Sequence, residues 1–182
     1  FSSRKWLLFT SAGDRSNVKQ WSRVDRDFVI VVVYYGKEER FQYESAVDIV
    51  LKHKGTKFPN LLWYMKQFNV SKSTGIAVFD DDIEIDSEDI SRLFKLQELY
   101  DVDILSPTFD PYYNEYMSLI PVKGSTMRFV EFVEMNTPVF KGEFLLDFMN
   151  SFDPIIKGWG TDIWYSGKCN DNPTCNMAVV DI

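Results

Sequence analysis

The stretch G-I-A-V-F-D-D-D-I-E-I-D at residues 75–86 decides the fold that we expect for this chain. Its apolar run at residues 76–79 is typical of a strand buried on both faces of a mostly parallel sheet. Three consecutive carboxylates, Asp80, Asp81 and Asp82, follow this run directly. Because ligands of open α/β sheets bind just beyond the carboxyl ends of the strands, the sequence predicts a binding site at this point.

The chemistry of the three aspartates predicts a metal and diphosphate site. Three like charges repel one another, and burying them without partners is costly. A hard divalent cation, Mn²⁺ or Mg²⁺, would remove that penalty and would also hold the phosphates of a substrate. The alternative is a solvated acidic turn before a helix, and residues 86–89 resemble a helix start, but this explains only the second half of the cluster. An EF-hand calcium loop is excluded because Ile85 and Ser91 occupy the positions that need glycine and glutamate.

The composition favours one globular domain over residues 1–182. The chain is 45% hydrophobic and carries a formal net charge of −7 at pH 7, so it lacks the basic footprint that nucleic-acid binding needs. No apolar run approaches the length of a membrane span, and no signal peptide is recognised. Cys169 and Cys175 either close a small loop in an oxidising compartment or remain free thiols in the cytosol. We expect the cytoplasm rather than the secretory lumen.

The rest of the chain alternates strands with helices, which predicts an α/β fold with a mostly parallel central sheet flanked by helices. Further strands are predicted at residues 6–10, 27–35, 102–105, 127–135 and 177–180. Helices are predicted at residues 44–52, 59–68, 87–100 and 141–149. Ser106 and Pro107 are expected to end the strand at residues 102–105.

Three loops are candidate parts of the site. The small residues at positions 11–14 let the backbone approach a ligand closely, so this loop either cradles a base and ribose or is an ordinary turn. Lys54 and Lys57 could pair with phosphates, although solvation at the surface is the commoner fate of a lysine. The aromatic segment at residues 110–116 suits a binding loop or a packed surface loop.

The second informative motif is K-G-W-G-T-D at residues 157–162. Its two glycines allow a tight backbone and present the flat ring of Trp159, a surface on which a sugar can stack. Asp162 is either a general base or the N-cap of a short helix. Glu131 and Glu134 either face solvent or meet a sugar hydroxyl.

Together, V-F-D-D-D-I and G-W-G-T-D resemble the motifs of GT-A glycosyltransferases, which use nucleotide-diphosphate sugars and Mn²⁺ or Mg²⁺ bound at a DxD motif. Other stretches are similar to a plant and bacterial family that was long known only as a family of unknown function. These stretches lie at residues 54–61, 105–111, 128–134 and 178–181. The chain also resembles a glycosyltransferase domain of a large algal virus.

The resemblance implies a single Rossmann-like GT-A domain that moves a sugar from a UDP-sugar to a hydroxyl of a glycan or glycoprotein. Asp82 resembles the direct metal ligand, Asp80 the residue that binds ribose or completes the metal shell through water, and Asp162 the general base of inverting members. A further metal ligand often found near the end of this domain is absent here, replaced by Asp181, or located beyond residue 182. The residues expected to contact the nucleotide sugar are Thr10, Ser11, Ala12, Gly13, Asp14, Lys57, Asp80, Asp81, Trp159 and Gly160.

Two other functions compete with sugar transfer. A non-catalytic module of the same fold would bind a nucleotide sugar or a glycan without turnover. A nucleotidyltransferase of related fold is disfavoured because no glycine-rich, basic signature follows the first predicted strand.

Overall fold

The computed structural model describes residues 5–23, 25–72, 74–112 and 116–182, which are organised around one eight-stranded sheet. Its strands are β1 (Trp6–Ala12), β2 (Phe28–Tyr34), β3 (Ile49–Lys52), β4 (Gly75–Phe79), β5 (Ile104–Pro107), β6 (Met127–Phe129), β7 (Val139–Lys141) and β8 (Met177–Val180). The helices are α1 (Lys57–Gln67), α2 (Ser87–Tyr100), α3 (Gly142–Ser151) and α4 (Thr161–Asn170). Short 3₁₀ helices lie at Val18–Trp21, Glu44–Ala46 and Met117–Leu119.

The strand order β3-β2-β1-β4-β7-β5-β8-β6 confirms the predicted mostly parallel α/β sheet. β1, β2, β3 and β4 are parallel to one another, and β5 is parallel to β8. β7 is inserted between β4 and β5 and runs antiparallel to both, and β6 is antiparallel to β8 at the edge of the sheet. The carboxyl ends of six strands and the amino ends of β6 and β7 therefore meet at one edge, here called the carboxyl edge.

The helices cover the two faces of the sheet because successive strand residues point to opposite sides. On one face, Leu8 of β1 shares a buried cluster with Phe94 of α2. On the other face, Phe9 of β1 shares a buried cluster with Phe58 of α1 and Tyr165 of α4. Each such large apolar side chain contributes about 1.5–3 kcal/mol when it is fully buried. With both faces covered, a ligand can approach the sheet only at its edges, and the longest loops lie at the carboxyl edge.

The predicted helix at residues 44–52 is wrong. Residues Glu44–Ala46 form only a 3₁₀ turn, and Ile49–Lys52 form β3, whose Ile49 lies opposite Val31 of β2 in parallel register. The apolar residues of this segment fit a helical spacing, but a window this short fits a half-buried strand as well. Backbone pairing along β2 decides between the two, and the local pattern does not contain that information.

Other predicted elements differ mainly at their ends. The helix at residues 87–100 is confirmed as α2, and the strand at residues 177–180 is confirmed as β8. β1 continues to Ala12, and β5 includes Pro107 as its last residue, a place where a missing N–H is tolerated. Only Met127–Phe129 of the predicted strand at 127–135 is extended, and Lys141 ends β7 rather than beginning a helix.

Cys169 and Cys175 form a disulfide that joins the last turn of α4 to the segment before β8. This bond resolves the two alternatives for the cysteines in favour of a closed loop. Because disulfides persist mainly in oxidising compartments, it gives no support to the expected cytoplasmic location. Among the described residues, no helix combines the length and the apolar character that are needed to cross a membrane. Residues 113–115 of the predicted aromatic binding loop lie outside the described residues.

Candidate active site

The three aspartates that follow β4, here called the acidic loop (residues 80–82), are held at the carboxyl edge by backbone hydrogen bonds. The Asp80 N–H donates to the Asn136 carbonyl at 2.8 Å, which ties the loop to the segment that enters β7. The Asp81 carbonyl accepts from the Asn17 N–H at 2.7 Å, and one Asp81 carboxylate oxygen accepts from the Gly13 N–H at 3.0 Å. The loop after β1 and the acidic loop are therefore direct neighbours.

The three carboxylates of the acidic loop differ in their surroundings. Asp82 is exposed, and the described residues offer its carboxylate neither a hydrogen bond nor an ion pair, although its carbonyl accepts from the Asn17 amide at 2.7 Å. Burial raises the pKa of Asp81; the Gly13 hydrogen bond lowers it, and the charges of Asp82 and Asp80 raise it further. Asp80 is half-buried and forms an ion pair with Lys57. Asp82 thus presents its charge outward, as a metal ligand would need to do.

Lys57 is a cation whose side chain is almost completely buried. It is the first residue of α1, its side chain is only 6% exposed, and its Nζ lies 2.8 Å from Asp80 Oδ1. The same ammonium donates to the Met135 carbonyl. Burial lowers the pKa of Lys57, while the charges of Asp80, Asp82 and Asp162 act in the opposite direction. Lys57 is thus a buried amine placed between the acidic loop and the segment that precedes β7.

The residues at the end of β1 are less accessible than the predicted cradle requires. Thr10 and Ala12 have no exposed surface, so in this arrangement neither can touch a nucleotide. Ser11 is buried too, and its hydroxyl accepts a hydrogen bond from the Asn60 amide at 2.9 Å. Asp14 accepts from Tyr34 and from two backbone N–H groups of the loop after β2, and these bonds lower its pKa. Gly13 is buried as well, so Asp14 is the one residue of the predicted cradle at positions 10–14 that is partly exposed.

Tyrosines that the sequence analysis did not single out surround Gly13. A Cβ at Gly13 would lie 3.2 Å from the ring of Tyr35, which is 39% exposed. The Tyr43 hydroxyl donates to the Gly13 carbonyl at 2.6 Å, and burial raises the pKa of that hydroxyl. The rings are recognisable as part of the site only after β2 and the segment that follows it are placed beside β1.

Asp80 of the acidic loop and three residues of the G-W-G-T-D motif line the same open cleft of about 380 Å³, here called the Trp159 cleft, whereas Asp81 and Asp82 lie outside its wall. Four residues predicted for the site lie on its wall: Lys57, Asp80, Trp159 and Asp162. The other lining residues are Thr56, Phe58, Glu134, Met135, Asn136, Lys157 and Gly158. Trp159 is 99% exposed, so its ring is free to meet a flat ligand.

Asp162 lies in the first turn of α4 and is not its N-cap. The N-cap position belongs to Gly160, whose φ of 89° is in the left-handed region that favours glycine. The Asp162 carboxylate accepts from the Ile163 N–H at 2.9 Å, a contact that leaves its second oxygen for other partners. Gly160 therefore acts through the backbone, turning the chain so that Trp159 and Asp162 both reach the Trp159 cleft.

The structure separates the two glutamates that were considered for the site. Glu134 lines the Trp159 cleft together with Asp162, whereas Glu131 is exposed and is not part of its wall. Asp181 lies at the end of β8, and its carboxylate accepts from the Val122 N–H at 3.3 Å. Three strand spacings of about 4.8 Å put β8 roughly 14 Å from β4, so Asp181 is not placed to complete a metal shell at the acidic loop.

Two further contributions to the site, besides the tyrosines around Gly13, were missed by the sequence analysis. Asn60 links Ser11 to His53, whose Nδ1 lies 2.9 Å from the Asn60 Oδ1, and so fixes the start of α1 against β1. The backbone of Met135 and Asn136 contacts Lys57 and the acidic loop through carbonyl oxygens. A backbone carbonyl leaves no trace in a sequence, but Asn60 at the start of a predicted helix, three residues after a Gly-Thr-Lys segment, was a usable signal.

The chain resembles solved structures in fold only. No family model matches it, and no curated protein matches it, so the resemblance to a plant and bacterial family and to a viral domain remains a prediction. The crystal structure of S. aureus TarS 1-349 matches 97% of this chain with a TM-score of 0.67 at 13% identity. The same part of TarS in complex with UDP matches with a TM-score of 0.69 at 14% identity.

The chain spans 58% of the TarS 1-349 structure and 35% of a longer TarS structure. A further TarS 1-349 structure, in complex with UDP-GlcNAc, has a TM-score of 0.67 at 14% identity. A cytidylyltransferase from Leptospira borgpetersenii covers 91% of this chain with a lower TM-score of 0.51 at 12% identity. At such identities the likeness establishes the fold alone, and that fold is a single α/β domain of the GT-A type.

Proposed function

We propose that this domain is a metal-dependent glycosyltransferase that uses a UDP-sugar and inverts the transferred sugar. The observation that carries the proposal is the Trp159 cleft, whose wall combines the ion pair of the buried Lys57 and the half-buried Asp80 with the carboxylate of Asp162 and an exposed indole ring. A diphosphate needs cations, an acceptor hydroxyl needs a base, and a sugar needs a flat surface. The TarS structures with UDP and UDP-GlcNAc support the choice of donor, since they share the fold.

The carboxylates of the acidic loop fit a hard divalent cation such as Mn²⁺ or Mg²⁺. Such ions prefer oxygen ligands and are often bound by one or two carboxylates together with substrate phosphates. Asp82 and Asp80 would supply the protein's share, since within the described residues no group of three or more His, Cys, Asp and Glu could hold a metal by itself. When bound, the cation would neutralise charge that develops on the departing diphosphate.

The chain's own residues account for the remaining chemistry. Asp162 would take the proton of the acceptor hydroxyl while the acceptor oxygen forms a bond to the anomeric carbon. The bond between that carbon and the diphosphate oxygen breaks on the opposite face, and UDP leaves with the bonding electrons. Trp159 would hold the ring of a sugar, and Lys57 would add positive charge beside the phosphates. Glu134, on the same wall, is the second candidate for the base.

A binding module of the same fold is the alternative function. It would need the nucleotide-sugar contacts but no base, so it would release no UDP. A nucleotidyltransferase is less well supported, because the cytidylyltransferase matches this chain with a lower TM-score than the TarS structure does.

The decisive experiment measures UDP release from a panel of UDP-sugars in the presence of glycan acceptors, with and without Mn²⁺. We expect metal-dependent release for one donor, and the same donor should raise the melting temperature because it binds only the folded protein. Asp82→Ala should abolish both the metal-dependent release of UDP and the rise in melting temperature that the donor causes with Mn²⁺. Asp86→Ala is the matched control. Asp86 is an exposed N-cap of α2 whose side chain makes no capping bond, so its loss should be mild. An Asp82→Ala protein that binds donor and metal as well as the parent would refute the metal assignment.

A further inference from the structure

Lys57 has a position that simple phosphate binding does not explain. Its side chain is buried, and its ammonium is already engaged by the carboxylate of Asp80 and the carbonyl of Met135. A charged amine is rarely buried to this extent unless it is paired, because removing it from water is costly. The pairing partner here is a carboxylate that the proposed function assigns to the metal and the donor.

The fold itself does not require a charge at this place. α1 is anchored by apolar neighbours of Lys57, since Phe58, Leu61 and Tyr64 all belong to the buried cluster on that face of the sheet. Lys57 instead reaches the wall of the Trp159 cleft, and the negative charges of Asp80, Asp82 and Asp162 all act on it. Its charge is therefore directed at the ligand site rather than at the core.

We propose that Lys57 is a resident counter-cation of the acidic loop, which competes with a divalent metal for Asp80 until a diphosphate gives it a second anionic partner. This inference rests on the proposed function. It means that metal and donor bind as a pair: each is held weakly alone and more tightly when the other is present.

The electrostatics of the site give the direction of each effect. An ammonium 2.8 Å from Asp80 occupies one of its two oxygens and repels a dication that approaches the same carboxylate. A diphosphate brings negative charge that attracts both cations, so the competition between them ends. The ammonium has three N–H groups, and the described residues supply acceptors for two of them, which leaves one for a phosphate oxygen.

The test is a titration of Mn²⁺ into the protein, followed by the electron paramagnetic resonance signal of the free ion, with and without saturating UDP. For the parent we expect UDP to strengthen Mn²⁺ binding by a factor within about 5–150, the usual range for coupled sites. By linkage, Mn²⁺ should strengthen UDP binding by the same factor, which calorimetry can measure. Lys57→Met should bind Mn²⁺ more tightly than the parent when UDP is absent, and should show weaker coupling than the parent, since only the direct attraction between the metal and the diphosphate remains.

Two further variants make the result specific. Lys66→Met removes an exposed lysine in the last turn of α1, outside the wall of the Trp159 cleft, and should keep the coupling of the parent, since an exposed charge is screened. Lys57→Gln keeps a donor for the Met135 carbonyl and replaces Lys57→Met if that protein does not fold, as judged by circular dichroism. Unchanged Mn²⁺ affinity and unchanged coupling in a folded Lys57 variant would overturn the inference while the proposed function stands. A parent that binds neither UDP nor Mn²⁺ would overturn the proposed function and this inference with it.

Discussion

Replacing Asp162 by asparagine separates a catalytic role from a structural one. Asparagine keeps the shape of the side chain and can still accept the hydrogen bond from the Ile163 N–H, but it cannot take a proton. The structural loss is small, because a carboxylate in the first turn of a helix gains about 0.3–1 kcal/mol from the helix dipole. For a domain of this size that corresponds to a fall in melting temperature of at most about 4 °C.

The catalytic loss should be far larger. A general base typically contributes about a hundredfold to ten-thousandfold in rate, equivalent to about 2.7–5.4 kcal/mol of activation free energy. We therefore expect Asp162→Asn to bind UDP-sugar and Mn²⁺ almost as the parent does, and to lower kcat at least about a hundredfold. The assay is steady-state UDP release with the best acceptor of the panel, alongside calorimetric titration of the donor.

The matched control is Glu134→Gln, which changes the other candidate base on the same cleft wall in the same way. If Asp162 is the base, this variant should keep kcat within about tenfold of the parent. Near-parental transfer by Asp162→Asn would refute the reasoning, and a large loss in Glu134→Gln instead would move the base to that residue.

Three further perturbations test other parts of the site. Gly13→Val should fold but bind UDP at least about tenfold more weakly in calorimetry, since its side chain would crowd Tyr35 beside the acidic loop; unchanged affinity would move the nucleotide elsewhere. Asp81→Asn should be more stable than the parent at neutral pH in a buffer that contains a metal chelator. Because the pKa of Asp81 is raised in the folded protein, the parent loses stability as the pH rises above 3.8, the ordinary pKa of an aspartate. The advantage of the variant should therefore vanish in melting curves recorded below that pH. Reduction of the Cys169–Cys175 disulfide should lower the melting temperature by several degrees, because a short closed loop contributes about 2 kcal/mol; an unchanged melting curve would show that the bond adds no stability.

The local pattern predicted the elements that carry either a long apolar stripe, such as α2, or an unbroken buried apolar run, such as β4. α2 has fourteen residues with a regular apolar stripe, and it was predicted from end to end. β3 and β7 were not, because they have four and three residues and their state depends on the strand beside them. The direction of β7 is set by pairing with β4 and β5, which are distant in sequence, so no window around residue 140 contains it.

The same distinction applies to the candidate site. Asp80, Asp82 and Asp162 could be chosen from the sequence because each belongs to a motif whose chemistry is visible in its side chains. The ion pair of Lys57 could not, since Lys57 and Asp80 meet only after α1 packs against β1, the neighbour of β4 in the sheet. Thr10 and Ala12 were assigned to the ligand because they lie near a strand end, but β1 extends two residues further than its apolar pattern and buries them.

The position of β8 inside the sheet sets the order in which the strands can pair while the chain is synthesised. The first four strands, β1 to β4, pair with one another, and outside this group only β4 pairs, with β7. This half of the sheet can therefore begin to assemble while the rest of the chain is still being synthesised. β6 and the second edge of β5 must wait for Met177–Val180, the strand that joins them, although β5 can already pair with β7. A nascent or truncated chain that stops before residue 177 leaves two strand edges open, the kind of surface that pairs with other chains and leads to aggregation.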